Sequence, residues 1–448
     1  MIRRYLYLAI VAILVVGTVS VAGQTEQGEA PPPATEAAEI AAQADRHLRK
    51  GVLDAWYPRC IDEENGGFHQ TFAADWTPQP DSNKFLVFQA RMTWVAAAVA
   101  RFAPDLREEY TKYAMHGLRF LDEKMRDKEF GGPHWVLGPD GEISDDLGTE
   151  KHAYGTSFGI YAGAEVYALT GDKRALGLAQ DAFLWLDEHS HDDKHGGYIE
   201  GTTREGVPLS DMSSGGRDRL HTPLGYKSMN THIHLLESFT ALYRMWPDER
   251  LRKRLEELHR IVRDRIAVEP GCLGYYFTPD WRSVPMHDSF GHDVETAYLL
   301  VESAEALGKH NDKETWAMAR SIVDHALEWG MDKDNGALCE KGEAFRRPFD
   351  RTKIWWTQSE WLNALLLMHS KYSADTDRYW KAFVRQWEFL WTHQIDHARG
   401  GWYHQVSPEG EPDRDGRKGS QWKAAYHNAR ALMNIVKKLR TLGGEYRE

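Results

Sequence analysis

Apolar residues recur at three- and four-residue intervals along twelve stretches of the chain, at about 37–55, 84–102, 106–125, 153–170, 175–189, 229–245, 248–268, 290–307, 311–330, 354–371, 376–394 and 424–441. That interval is the period of a helix with one apolar face, so the pattern predicts twelve helices. Between them stand glycines followed by aromatic or apolar residues: Gly66-Gly67-Phe68, Gly131-Gly132 ahead of Trp135, Gly196-Gly197-Tyr198, Gly274-Tyr275-Tyr276, Gly336-Ala337-Leu338 and Gly400-Gly401-Trp402. Gly66 to Gly131 and Gly131 to Gly196 are both steps of 65 residues, and Gly336 to Gly400 is one of 64, which reads as six repeated units of two helices each. Turn signals such as Pro139-Asp140-Gly141 and Pro408-Glu409-Gly410 predict short β-hairpins at one end of the units. The longer middle step places an insertion at about 202–224.

Six helix pairs bury both faces of one helix set only by closing into a ring, because an open solenoid needs specialised ends and neither end has that character. The expected fold is therefore all-α, an (α/α)6 barrel over residues 39–448. At 448 residues the chain exceeds the ~250–300 that one simple core supports, and a closed double ring answers that size without a second domain. The second helix of each unit is the more apolar and is expected on the inside.

Those inner helices begin with chemically loaded residues, one per unit: Arg91, Tyr154, His234, His292, Trp356 and His427. In Gly291-His292-Asp293-Val294-Glu295 a histidine precedes a glutamate by three residues, which puts both on one helix face, where the acid can orient the ring. His234 and Glu237 repeat that offset, and His427 stands three before Arg430. A histidine near neutral pH is suited to proton abstraction. Other readings compete with this one. A lone helical histidine is most often a packing residue, and Arg91 can be a buried arginine paired to a neighbouring carboxylate. A metal assembled from His234, His292, Glu295 and His427 is open, although no His-Glu-x-x-His or cysteine cluster exists. Glycoside hydrolysis by Asp293, Glu295 and Glu360 is a further alternative on this architecture. Trp355, Trp356 and Trp422 lie among polar residues, as a cavity wall would.

Net charge is −12 with Lys and Arg dispersed, which excludes the basic footprint of a nucleic-acid binder. Arg3 and Arg4 precede an apolar run from Tyr5 to about Val21 and then small residues, the layout of a secretory signal peptide over 1–23, with an uncleaved anchor as the alternative. Residues 24–38, with Pro31-Pro32-Pro33, read as a polar linker. The expected location is periplasmic or secreted, with no membrane association beyond the leader. Cys60, Cys272 and Cys339 are widely spaced and form no metal motif, so buried free thiols are expected. Monomer and homodimer are equally open.

Together, Asn230-Thr231-His232-Ile233-His234, Gly291-His292-Asp293-Val294-Glu295, Trp355-Trp356-Thr357-Gln358-Ser359-Glu360 and Trp422-Lys423-Ala424-Ala425-Tyr426-His427, with the stretch from Lys84 to Arg91, resemble the N-acylglucosamine 2-epimerase superfamily in the style of its cellobiose 2-epimerase branch. The resemblance runs from about residue 40 to the C-terminus. It implies an (α/α)6 barrel and cofactor-free, metal-free inversion at C2 of a reducing-end glucose or mannose unit. It implies His292 and His427 as the acid/base pair, with Glu295 supporting His292, and His234, Asn230 and Arg91 on sugar oxygens. Trp356, Glu360, Trp422 and Tyr154 would shape the sugar site. Tyr298 is placed with these substrate-binding residues, although it departs from the branch, which usually carries Trp six residues after the motif histidine.

Overall fold

The computed structural model describes residues 34–79, 82–268, 271–344 and 346–442. Twelve long helices account for most of them: α1 (Ala34–Arg46), α2 (Leu86–Phe102), α3 (Arg107–Phe120), α4 (Ala153–Thr170), α5 (Lys173–His189), α6 (Met229–Met245), α7 (Glu249–Ile261), α8 (Phe290–Ala306), α9 (Lys313–His325), α10 (Trp355–Tyr372), α11 (Arg378–Phe389) and α12 (Tyr426–Leu442). The expected leader lies outside the described residues. The linker reading ends earlier than expected, because α1 begins at Ala34 in a run of Ala, Glu and Gln that favours helix.

The even-numbered helices form the inner ring, each packed on the next, with α12 closing against α2. They are buried nearly all round; in α2 only Arg101 and Phe102 escape burial. Odd-numbered helices bury one stripe, as α7 does through Leu251, Leu255 and Leu258. The seam between the ends is closed by α1 on α12, and by Trp387 and Trp402, which donate to Gln43 (2.9 Å) and His47 (2.8 Å). The fold is the (α/α)6 barrel expected from the periodicity. Among the described residues no helix is long and apolar enough to cross a membrane. All three cysteines are buried and free.

The short strands mostly stitch one unit to the next. Lys84–Phe85, just ahead of α2, pairs with Val136–Leu137, and Lys151–His152, ahead of α4, pairs with Gly201–Thr202. Lys227–Ser228, Asp288–Ser289 and Lys353–Ile354 are held in the same way ahead of α6, α8 and α10. Within a unit the pairing often shrinks to one bridge, as between Ile61 and Phe68.

The starts of five of the six inner helices are pinned by a feature that hydrophobic periodicity does not show. Outer helices lead into a loop of the form Asp-x-x-x-Gly, in which the aspartate accepts backbone N–H groups two and three residues on, as Asp62 does from Glu64 (3.1 Å) and Asn65 (2.9 Å). The other oxygen of that aspartate takes a buried lysine ammonium: Asp62 with Lys84 (2.5 Å), Asp127 with Lys151 (3.0 Å), Asp192 with Lys227 (2.8 Å), Asp332 with Lys353 (2.7 Å) and Asp396 with Lys418 (2.6 Å). The side chain four residues into the inner helix adds a second pin. Gln89 accepts from Phe68 N–H (2.7 Å) and donates to its carbonyl (2.8 Å), and a Cβ on Gly67, at φ +66°, would stand 2.5 Å from that amide oxygen. Removing one member of such a pair leaves the other charge buried without a counter-ion. Lys84→Met should therefore lower stability by about 3–5 kcal/mol in chemical denaturation. Adding Asp62→Asn should restore part of the loss; an unchanged midpoint in the single variant would show that the pair does not hold the loop.

Candidate active site

Because the inner helices all start at one end of the barrel, the residues in their first two turns converge there. Arg91, Tyr154, Asn230, His234, His292, Glu295, Trp356, Trp422 and His427 line one cavity of about 460 Å³, together with Tyr275, Glu340 and Trp355. Trp356 makes ring contacts with both His292 (4.7 Å) and His427 (5.7 Å), so the two imidazoles flank one indole. Trp422 stands at the rim, 37% exposed. Arg91 has no carboxylate within ion-pair distance among the described residues. It lies over the Phe158 ring (4.4 Å), donates to the Trp422 carbonyl (3.2 Å) and to Tyr154 Oη (3.4 Å), and faces the cavity. Asn230 Oδ1 and Glu295 Oε2 have no hydrogen-bond partner within the protein.

Behind the cavity lies a fully buried charge cluster. Arg430 donates to Glu237, to Glu295 (2.7 Å) and to Glu360 (3.0 Å). Glu237 in turn holds His234 Nδ1 (2.9 Å) and accepts from Tyr426 Oη (2.6 Å). Glu360 holds His427 Nδ1 (2.5 Å) and accepts from Tyr298 Oη (2.8 Å) and Asn363 (3.2 Å). Two expected roles are therefore exchanged. Glu295 shares a helix face with His292, but Arg430 from α12 captures it, and His292 Nδ1 meets Ser289 Oγ instead (2.7 Å). Glu360 is not a wall of the cavity but the carboxylate behind His427. Tyr298 lies deeper still, since eight residues into α8 its side chain reaches the layer of Arg430.

Burial dominates the proton chemistry. It drives His292 down to about 3, with the neighbouring His234 and His427 adding to the effect, and takes His427 to about 3 in spite of the Glu360 hydrogen bond. Burial alone would raise Glu360, yet Arg430 and His427 hold it well below the usual carboxylate range. Glu295 is pushed up to about 7 by burial and by Glu360 beside it. The resting site thus offers two neutral imidazoles, one backed by an ionised carboxylate and one by a hydroxyl. Ligand atoms of Glu295, Glu360 and His427 lie within 4.8 Å of one another, but the Arg430 guanidinium fills the place a metal ion would need. Asp293 lines no part of the cavity, Glu360 lies behind it and Glu295 is bound to Arg430, so the three acids considered for glycoside hydrolysis do not form a pair facing across it.

The sequence matches the N-acylglucosamine 2-epimerase (GlcNAc 2-epimerase) family over residues 66–431. The chain belongs to that family. It is 32% identical to a cellobiose 2-epimerase from Bacteroides fragilis over 88% of this chain and 98% of that protein. A solved cellobiose 2-epimerase from Spirochaeta thermophila superposes with TM-score 0.82 at 31% identity, over 91% of this chain and 98% of that one. A D-mannose isomerase from Marinomonas mediterranea is 25% identical over 88% of this chain and 96% of its own length. The chain is accordingly an enzyme of the carbohydrate epimerase and isomerase class.

Residue spacing missed Tyr275, Glu340 and Ser289, which sit on connecting segments outside any helical period. Arg430 was visible as the partner offset of His427, yet its bonds to Glu237, Glu295 and Glu360 cross between four helices. The arrangement makes Glu360 a positioning residue for His427. Glu360→Gln keeps the volume but removes the charge that fixes the ring and favours its protonated form. It should lower kcat by about 10²–10⁴-fold with KM changed far less, read from steady-state kinetics. An equal loss in KM alone would mean that Glu360 serves only the shape of the cavity.

Proposed function

We propose that the chain inverts C2 of a reducing-end glucose or mannose unit, as a cellobiose 2-epimerase does, through an enediol. The observation that carries this reading is the pair of buried neutral imidazoles, His292 and His427, in one cavity beside Trp356. Glu360 accepts the Nδ1–H of His427 and leaves Nε2 as a base toward the cavity. With the sugar ring open, the C1 aldehyde acidifies the C2 proton. One histidine removes it, the C1=O bond becomes a C1–O⁻ group, and a C1=C2 double bond forms. Arg91 and His234 are placed to bind the developing charge on O1, and the six inner-helix N-termini at this mouth add positive potential. Return of a proton to the opposite face of C2 from the other histidine gives the epimer. Trp422 at the rim offers an exposed ring for a second sugar unit, which supports a disaccharide substrate.

A second reading follows from the D-mannose isomerase relative: protonation at C1 instead of C2 yields a ketose from the same enediol. NMR of the purified chain with cellobiose, glucose, mannose and N-acetylglucosamine in heavy water separates the two. Deuterium at C2 with a new epimer is the expected result, and a ketose product would select the isomerase. His292→Asn and His427→Asn should each abolish interconversion, while one of them still exchanges the C2 proton of a single epimer. Full epimerisation by either variant would sink the two-base assignment.

The pH dependence has a definite sign. A histidine whose pKa is lowered acts as a base at every pH above that value and loses this role as pH falls through it. With His427 near 3, kcat/KM should hold from pH 8 down to about 5 and decline only below that. An acid limb near 6.5 would mean that the imidazole titrates as a solvent-exposed one. The leader at 1–23 would place this chemistry outside the cytoplasm, which N-terminal sequencing of the exported chain tests.

A further inference from the structure

One of the six units departs from the Lys–Asp rule, and its departures meet at one point. Two residues before the inner helix, where Lys84, Lys151, Lys227 and Lys353 stand in other units, this unit carries Asp288. At α12 that position is Ala424, and Lys418 from the preceding loop meets Asp396 in its stead. Where the loop aspartates Asp62, Asp127, Asp192, Asp332 and Asp396 stand, this unit has Val268. Four residues into the helix, in place of the neutral Gln89, His232 or Gln358, it has Asp293, whose Oδ1 accepts Leu273 N–H (3.1 Å). On the outer helix, at the residue just before the final π-turn, Phe120, Ile261 and Phe389 are replaced by His325.

These changes exchange a lysine–aspartate pair for two carboxylates and an imidazole, all buried. His325 Nε2 lies 3.7 Å from Asp288 Oδ2, and His325 Nδ1 3.9 Å from Asp293 Oδ2. One ligand atom from each of the three residues falls within 4.8 Å of the others. Apart from one another, the oxygens of Asp288 and Oδ2 of Asp293 have no hydrogen-bond partner, and among the described residues neither carboxylate has a Lys or Arg within ion-pair distance. Two facing carboxylates with no counter-cation are costly in a buried place. Burial accordingly raises both above the ordinary carboxylate range.

We propose that Asp288, Asp293 and His325 form a site for one divalent first-row metal ion, such as Zn²⁺ or Mn²⁺, that is structural and separate from the sugar cavity. One imidazole and two carboxylates suit such ions, which take a single ring nitrogen, and with one nitrogen of His325 a carboxylate oxygen from each aspartate lies within 4.8 Å, against about 3.4 Å between ligands of a tetrahedral shell. A charge of +2 would balance the two carboxylates, as lysine balances aspartate in the other units. His325 borders a surface pocket of about 440 Å³ on α9, the side from which an ion would reach the two aspartates. The ion would brace the start of α8, because Asp288 directly precedes Ser289, which holds His292 Nδ1.

The test uses the full chain, stripped with chelator and dialysed, then supplied with Zn²⁺, Mn²⁺ or Co²⁺ while metal content and melting temperature are measured. One equivalent should be retained and the melting temperature should rise by about 5 °C. Asp288→Asn and Asp293→Asn should lose both the ion and the rise. Asp288→Lys, which restores the lysine of the other units, should lose the ion yet melt no lower than the loaded wild-type chain. A wild-type chain that retains no ion and gains no stability from any of the three would overturn the proposal and show that the carboxyls share a proton. Retention of the ion by both asparagine variants would also overturn it.

Discussion

Arg430 is the cation around which the buried centre of the barrel is organised. Three glutamates from three different inner helices, Glu237, Glu295 and Glu360, meet its guanidinium, and two of them hold the cavity histidines His234 and His427. A carboxylate buried this deeply is otherwise driven to its neutral form. Arg430, helped by the hydrogen bonds from His427 and His234, keeps Glu360 and Glu237 ionised, with Glu237 at about 2, but not Glu295, which rises to about 7. The resting cluster is thus close to one net negative charge. That surplus is directed at His427, where it partly offsets the cost of an imidazolium that burial otherwise disfavours.

Such a cluster needs the inner helices to be fixed in rotation and along their axes, and the loops at the active end do that. Four of the Asp–Lys pairs tie the loop after an outer helix to the strand directly before an inner one, and the fifth, Asp396–Lys418, ties such a loop to the segment that leads to α12. Tyr154, Asn230, His292, Trp356 and His427 are the second or third residues of their helices. A shift of one residue at any helix start would rotate its side chain by about 100°, out of the cavity. The rule is therefore the same physical device repeated, and the unit that bears His292 is the one that breaks it.

The architecture was legible because it rests on local signals repeated six times: a helical period, glycine turns and a spacing near 65 residues. The cavity residues were legible for the same reason, as each falls at the start of an inner helix. Pairings were not. Spacing of three residues places Glu295 beside His292 on a helix face, but which partner a buried acid takes depends on charges brought by other helices, and Arg430 outcompetes a neutral imidazole. Glu360 and His427 are 67 residues apart, and only the closed ring brings them to 2.5 Å. The Asp–Lys rule was present in the sequence, as an aspartate four residues before the repeating glycine and a lysine two before the inner helix. Hydrophobic periodicity gives no weight to a buried lysine, so the rule emerges only once the pairs are seen.

If the proposed epimerisation runs on two histidines, one of them must be protonated when the enediol is quenched, yet burial drives both toward neutrality. The substrate can supply the difference. When the C2 proton leaves, a negative charge develops on O1 within the same buried cavity. At about 4 Å and an effective dielectric near 20, one such charge is worth about 4 kcal/mol to an imidazolium, or about three pKa units. A histidine lowered by burial is thereby raised while the enediolate exists, and lowered again once the charge on O1 is discharged. The acid is in this view made by the reaction and not stored in the resting enzyme. His427 is backed by the Glu360 carboxylate and His292 only by Ser289, so on this reading the two faces of the enediol are not equivalent to the protein even though both carry an imidazole.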